Sequence, residues 1–229
     1  MINVALIDDH KIFSASLKEF LSRYPRLHPQ VIEPLAVSKV IPLLRDQNTH
    51  VVVTDLFMPH ISGFTLVKEI RESLPEIRIV VLSLSEELSV VNQLVDMGIH
   101  SYLSKSDEPE HLVEAIHAVH DKLVYKSRLF TDALYWNALH AGKQGQGRKK
   151  AVFSQREKKI IQMLWEEKSN TEIAASLFLG VRSIEKIRQD MKEKAGVKTT
   201  LGLLKYALSN YILMEGSLLE KEVFYKMPD

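Results

Sequence analysis

Cysteine is absent from the chain. That excludes disulfide staples, thiolate nucleophiles and zinc sites built on sulfur, and it agrees with a reducing compartment. Long apolar runs are absent as well. No stretch approaches the roughly 18 residues of a membrane span, and the amino-terminal MINVALIDDH lacks the basic start and cleavage region of a secretory leader. The expectation is a cytoplasmic protein with no membrane partner. Net charge is nearly missing, at +1 over 229 residues, but the balance conceals an asymmetry. Residues 148–229 carry 16 Lys/Arg against 11 Asp/Glu, whereas residues 1–147 carry 14 against 18. A polyanionic partner, if there is one, belongs with the second part, although on charge alone a solvated surface accounts for the excess as well. What remains is ordinary: 45% hydrophobic and 26% charged residues, enough for two small globular domains.

The stretch VVVTDLFMP, residues 51–59, organises the first part. Its apolar run shows no polar alternation and is too short for a helix, so it reads as a strand buried on both faces that ends at Asp55. Residues 3–7 form a similar strand running into Asp8 and Asp9. Residues 31–35 form a weaker one, residues 79–82 one that ends in Ser83, and residues 101–103 a short one that leads to Lys105. Helical spacings lie between them: Phe13, Leu17, Phe20 and Leu21 before Pro25; residues 37–44, where Pro42 forces a kink or a late start; residues 64–74; residues 88–97 before Gly98; and residues 110–122. Five strands alternating with five helices predict a doubly wound parallel sheet, a flavodoxin-like α/β fold.

In such a sheet the carboxyl ends of the strands line one crevice. Asp8, Asp9, Asp55, Ser83 and Lys105 all fall there. Any one of them alone reads as a turn former, a helix cap or a surface lysine; four kinds of group at four strand ends read as a site. Three crowded carboxylates call for a hard divalent cation with oxygen ligands, Mg²⁺, with the Phe57 carbonyl as a further ligand. A carboxylate beside that ion can attack a phosphoryl group while a lysine neutralises the transferred oxygens.

DDH at 8–10, D-x-x-M-P-x-x-x-G from 55 to 63, VVLS at 80–83 and YLSK at 102–105 resemble the receiver domain of two-component response regulators. The resemblance covers roughly residues 1–122. It implies that Asp55 accepts a phosphoryl group from a histidine kinase, and that Asp8 and Asp9 hold Mg²⁺. It further implies that Ser83 and Lys105 bind the phosphoryl oxygens and that Tyr102 is the aromatic whose rotation reports the state. Ser101 and Ser106 stand where the family often has glycine and proline.

Residues 123–152 read as a connection with a helix at 131–140 and a flexible linker, KQGQGRKK, at 143–150. Beyond it, Ser154 and Glu157 form a capping box. A helix from 172 to 177, capped by Asn170 or Thr171, a turn at Phe178-Leu179-Gly180 and a helix from 182 to 195 make a helix-turn-helix, followed by a fourth helix at 201–213. SQRE at 154–157, SNTEIA at 169–174, RSIEK at 182–186 and KAGV at 194–197 resemble a LuxR-type output domain, so residues 153–213 form an all-α unit. Together the halves resemble a NarL/FixJ-type response regulator. Carried over by position, Arg182, Ser183, Glu185, Lys186, Arg188 and Lys192 fall on or near the surface facing double-stranded DNA. Glu167 replaces a usual glycine, Ile187 a usual histidine, and Glu185 a frequent lysine. Residues 214–229 show no pattern beyond scattered apolar side chains that suit either an extra helix or a partner surface.

The resulting expectation is a phosphorylation-controlled transcription regulator, not an enzyme, that forms a homodimer when phosphorylated. Three rivals stand beside it: a regulator that works without phosphorylation, a protein-binding adaptor, and an Asp-nucleophile phosphohydrolase. The last usually carries a second acid two residues after the nucleophile, and here that residue is Phe57.

Overall fold

The chain begins with β1 (Ile2–Ile7), α1 (Lys11–Leu21), β2 (Leu27–Ile32), α2 (Val37–Asp46) and β3 (Val51–Thr54). It continues with α3 (Gly63–Ser73), β4 (Arg78–Ser83), α4 (Leu88–Met97), β5 (Ser101–Ser104) and α5 (Pro109–His120). This computed structural model describes residues 1–33, 36–59, 61–140, 151–210 and 212–213, with only the backbone of 137–140. The strands pair in parallel in the order β2-β1-β3-β4-β5, which is the doubly wound architecture expected. Side chains of β3 alternate across the sheet as the two-residue period requires. Val51 and Val53 pack with Leu21, Leu112 and Ile116 beneath α1 and α5, while Val52 packs with Leu66, Ile70 and Leu94 beneath α3 and α4. Both faces being covered, every residue of β3 is buried.

The second sequence-predicted strand is displaced. Residues 31–35 were expected, whereas β2 spans Leu27–Ile32 and includes Pro29. At the sheet edge only one side of a strand must hydrogen-bond, so proline is tolerated there. Helix α2 runs through Pro42 from Val37 to Asp46, without the late start that was one of the two outcomes expected.

The segment after α5 is more than a tether. Helix α6 (Arg128–His140) buries Leu129, Phe130, Ala133 and Leu134. It is tied down at both neighbours: the Ser127 hydroxyl donates to the Tyr102 carbonyl, and the Asn92 side-chain amide of α4 donates to the Ala133 carbonyl at 2.9 Å. Four further helices follow, α7 (Gln155–Trp165), α8 (Asn170–Leu177), α9 (Val181–Ala195) and α10 (Thr200–Ser209). The capping box at Ser154 and Glu157 forms in both directions. Helix α8 is capped by Ser169, not by Asn170 or Thr171. The Ser169 hydroxyl accepts from the Glu172 N–H at 3.2 Å, and the Glu172 carboxylate accepts from the Ser169 N–H at 2.7 Å, so Ser-x-x-Glu repeats the pattern that opens α7. The expected linker at 143–150 and the tail at 214–229 lie outside the described residues.

The core beneath α3 and α4 continues into the helical domain through Phe130, Leu134, Ile160, Leu164, Leu204 and Leu208. Polar contacts reinforce this apposition. The Lys205 ammonium of α10 donates to the Asn92 carbonyl at 3.0 Å and to Asp96 at 2.9 Å on α4. Lys126 donates to the Trp165 carbonyl at 2.5 Å and stands 4.5 Å from the Trp165 ring.

Glu167, the residue in place of a glycine, closes α7 with φ +60°. That left-handed conformation costs a residue with a Cβ about 1–2 kcal/mol. Glu167→Gly should raise stability to urea by about 0.5–1 kcal/mol, once the loss of an exposed ion pair with Lys126 is offset. An unchanged or lowered unfolding midpoint would show that the conformation carries no such cost.

Candidate functional site

Strand β1 ends at Ile7 opposite Thr54, so Asp8 and Asp55 leave the sheet side by side. Lys105 follows β5 and its backbone N–H donates to the Ser83 carbonyl at 2.9 Å. Its ammonium lies 2.7 Å from Asp8 Oδ2 and 2.7 Å from Asp55 Oδ2. It also stands 4.9 Å from the Phe13 ring of α1. All three charged side chains are buried. Burial alone would lower the Lys105 pKa; hydrogen bonds and attraction from Asp55 and Asp8 outweigh it, so the pKa is raised.

The acids have further donors. Asp55 Oδ1 accepts from the Leu56 N–H at 2.6 Å. Asp8 Oδ1 accepts from the His10 N–H at 2.8 Å and lies 3.0 Å from His10 Nδ1. Asp9 Oδ1 is buried and accepts no hydrogen bond, its nearest ring nitrogen, His10 Nδ1 at 3.3 Å, being engaged with Asp8. Asp8, Asp9, His10 and Asp55 each offer a ligand atom, all within 4.8 Å of one another. A buried carboxylate oxygen without a donor, beside two more carboxylates, is a donor set that fits a hard divalent cation. His10 is the third residue of the DDH motif. Its backbone and ring orient Asp8, and only the turn geometry reveals that.

Behind Asp55, the first residue of α3 makes the loop possible. A Cβ on Gly63 would lie 2.6 Å from Leu56 Cα and 2.8 Å from the Asp55 carbonyl oxygen, so the glycine of D-x-x-M-P-x-x-x-G is required for close approach. Phe57 is exposed, and its backbone bridges to Ser62. Across the crevice, Ser83 Oγ is buried without a hydrogen-bond partner. Tyr102 is wholly buried, and its hydroxyl donates to the Ser85 carbonyl at 2.6 Å. Burial pushes the phenol up to about 12. The ring is therefore turned into the interior in this structure. All described peptide bonds are trans, including the one that joins Lys105 to Ser106.

The second candidate surface lies on α9. Arg182, Ser183, Glu185 and Lys186 are exposed. Arg188 is not. It is buried with Ile184 and Met191 on the inward face. Its guanidinium donates to the Asn170 side chain, to Thr200 Oγ1 at 2.8 Å and to the Lys122 carbonyl at 3.2 Å. Burial lowers its pKa to about 10. The reason is periodicity: residues 184, 188 and 191 share one helical stripe, which the positional carry-over ignored. Lys192, one turn on, is half-buried beside it. Glu185 lies 3.3 Å from Lys122 of the first domain.

Comparison with known proteins finds two family matches. Residues 4–117 match the response regulator receiver domain, and residues 151–207 match the bacterial regulatory proteins of the luxR family. The transcriptional regulatory protein MctR of Rhizobium johnstonii is 29% identical over 212 residues, 93% of this chain and 95% of that protein. UhpA of Escherichia coli, also a transcriptional regulatory protein, is 29% identical over 206 residues, 90% and 97% of the two chains. A structure of the Salmonella typhimurium RcsB response regulator aligns with a TM-score of 0.55 at 25% identity, covering 91% of this chain and all of that one. The RcsB–DNA complex, at 23% identity and a TM-score of 0.54, shares the fold.

Because Arg188 satisfies three acceptors from inside, Arg188→Met should cost about 1–3 kcal/mol of stability in urea unfolding. Lys186→Ala, at an exposed position, should stay within about 0.5 kcal/mol. Equal stabilities for the two variants would place Arg188 among the outward-facing residues instead.

Proposed function

Because this chain belongs to the response regulators, joining a receiver domain to a luxR-type helix-turn-helix domain, we propose that it is a transcription regulator whose binding to double-stranded DNA is governed by phosphorylation at Asp55. The observation that carries this reading is the buried triad of Asp8, Asp55 and Lys105, with an orphaned Asp9 oxygen and a partnerless Ser83 hydroxyl around it. Phosphate chemistry has a use for each of these groups.

In the proposed transfer an Asp55 carboxylate oxygen attacks the phosphorus of a histidine kinase's phosphohistidine. The P–N bond breaks, and the imidazole leaves with the electron pair. Mg²⁺ held by Asp8, Asp9 and Asp55, with the Phe57 carbonyl as a further oxygen, would neutralise charge on the reacting phosphate. Lys105 swings its bond from the Asp55 oxygen to a phosphoryl oxygen, a short movement for an ammonium already 2.7 Å away. Ser83 donates its unused O–H to another. The hydrolase alternative lacks support: two residues beyond Asp55 stands exposed Phe57, which supplies no acid for turnover. The product is stored as a signal.

The readout follows from where Ser83 is tethered. Drawing it toward Asp55 moves the segment that carries the Ser85 carbonyl, the acceptor of the Tyr102 hydroxyl. The Tyr102 carbonyl in turn receives the Ser127 hydroxyl at the foot of α6, and α6 packs against α10. Phosphorylation thereby loosens the seat of the helical domain on α4 and α6, frees α9 for the major groove, and uncovers the α4 surface for a homodimer.

Incubating the protein with Mg²⁺ and a small phosphodonor should add one phosphoryl group by mass, and removal of Mg²⁺ with a chelator should prevent it. Asp55→Asn should abolish the addition, and the phosphorylated form should retain genomic DNA fragments at salt concentrations that release the unmodified form. Undiminished labelling of Asp55→Asn would sink the mechanism.

A further inference from the structure

At the end of the sheet opposite Asp55, the two domains enclose a cleft with a cavity of about 480 Å³. Strand β4 alone spans roughly 20 Å, so this cleft is separate from the phosphoryl site. From the receiver it is lined by Arg71 at the last turn of α3, Arg78 at the start of β4 and His100 before β5; from the helical domain, by Arg188, Lys192 and Lys198. Two carboxylates, Glu76 and Glu185, also line it. Glu185 is engaged with Lys122 at 3.3 Å. Among the described residues, Arg71, Arg78, Lys192 and Lys198 have no carboxylate within ion-pairing distance.

The excess is one of donors as well as charge. Arg71 Nε is buried and makes no hydrogen bond. The Ile79 N–H donates to His100 Nδ1 at 3.1 Å, which leaves the ring proton on Nε2. Nε2 faces Arg78 Nη1 at 3.1 Å, so two N–H groups meet with no acceptor between them. Burial, together with Arg78, Arg71 and Lys192, holds His100 well below the usual imidazole range. Burial and the same arginines, with Arg188, lower Lys192. Cations driven together in a partly dry cleft raise each other's energy, and an oxyanion that accepts from several of them at once relieves both the charge and the unmet donors.

We propose that this interdomain cleft binds a small anion bearing phosphate groups, gripped by Arg71, Arg78 and His100 of the receiver and by Lys192 and Lys198 of the helical domain. The volume suits pyrophosphate or the phosphate end of a nucleotide. Since its ligands come from both domains, the bound anion clamps them together and holds α9 against the receiver, so it opposes DNA binding by mass action. The proposal rests on the apposition of the domains and is independent of phosphorylation at Asp55.

The test is calorimetric titration of the full chain, without Mg²⁺ and at constant ionic strength set with chloride, using inorganic pyrophosphate in one arm and ADP in the other. Saturable binding below millimolar concentration is expected in at least one arm. Arg78→Gln and Lys192→Gln, one from each domain, should each weaken it roughly tenfold, as for the loss of one charge-assisted hydrogen bond. Each variant's fold is checked by its helical circular dichroism. Asp55→Asn should bind as the parent does, which separates failure of this inference from failure of the phosphorylation reading. Tighter binding of ADP would identify a nucleotide, and equal binding a free phosphate anion; both support the site. No saturation in either arm, or binding indifferent to both glutamine variants, overturns it.

Discussion

The ammonium of Lys105, bonded at once to Asp8 and Asp55, is the interaction on which the rest depends. It ties together the carboxyl ends of β1, β3 and β5, and without it two buried carboxylates would face each other with no counter-charge. A buried ion pair is weak evidence for stability, because desolvation offsets attraction. Its presence at a strand-end crevice therefore argues for a chemical use. The apolar sheet below supports that use by holding strand ends in fixed register, so that groups from residues as distant as 8 and 105 meet within hydrogen-bond reach.

From this centre two routes lead outward, and both are short. One passes through Gly63, whose missing Cβ lets α3 press against the loop behind Asp55. The other passes through Ser83, Ser85 and Tyr102 to Ser127, where the foot of α6 is hydrogen-bonded directly to β5. Helix α6 is thus a structural member shared by the two domains. Its apolar face, Phe130 and Leu134, belongs to the same continuous core as Leu204 and Leu208 of α10.

The sheet and its crevice were legible in the sequence because a buried parallel strand leaves an unmistakable trace: an uninterrupted apolar run ending abruptly in a polar residue, as at Asp8, Asp55 and Ser83. Where local pattern and tertiary setting disagree, legibility fails. Pro29 reads as a breaker but sits on an edge strand where its missing N–H costs nothing. Thr131 looked like the start of a helix that begins at Arg128, since the contact that anchors it, Ser127 to the Tyr102 carbonyl, spans 25 residues. Arg188 was counted with its charged neighbours although the spacing to Ile184 and Met191 already placed it on the inward stripe. The interdomain cleft left no trace at all, as its lining is drawn from α3, β4, α5, α9 and α10, and no local window contains them together.

The inward turn of Arg188 changes what α9 offers to DNA. Its exposed cations are Arg182, Lys186 and Lys194, and Lys194 is paired with Glu157 at 2.6 Å. Against them stand exposed Glu185, Asp190 and Glu193. A helix so balanced gains little from phosphate attraction, which supplies most sequence-independent affinity.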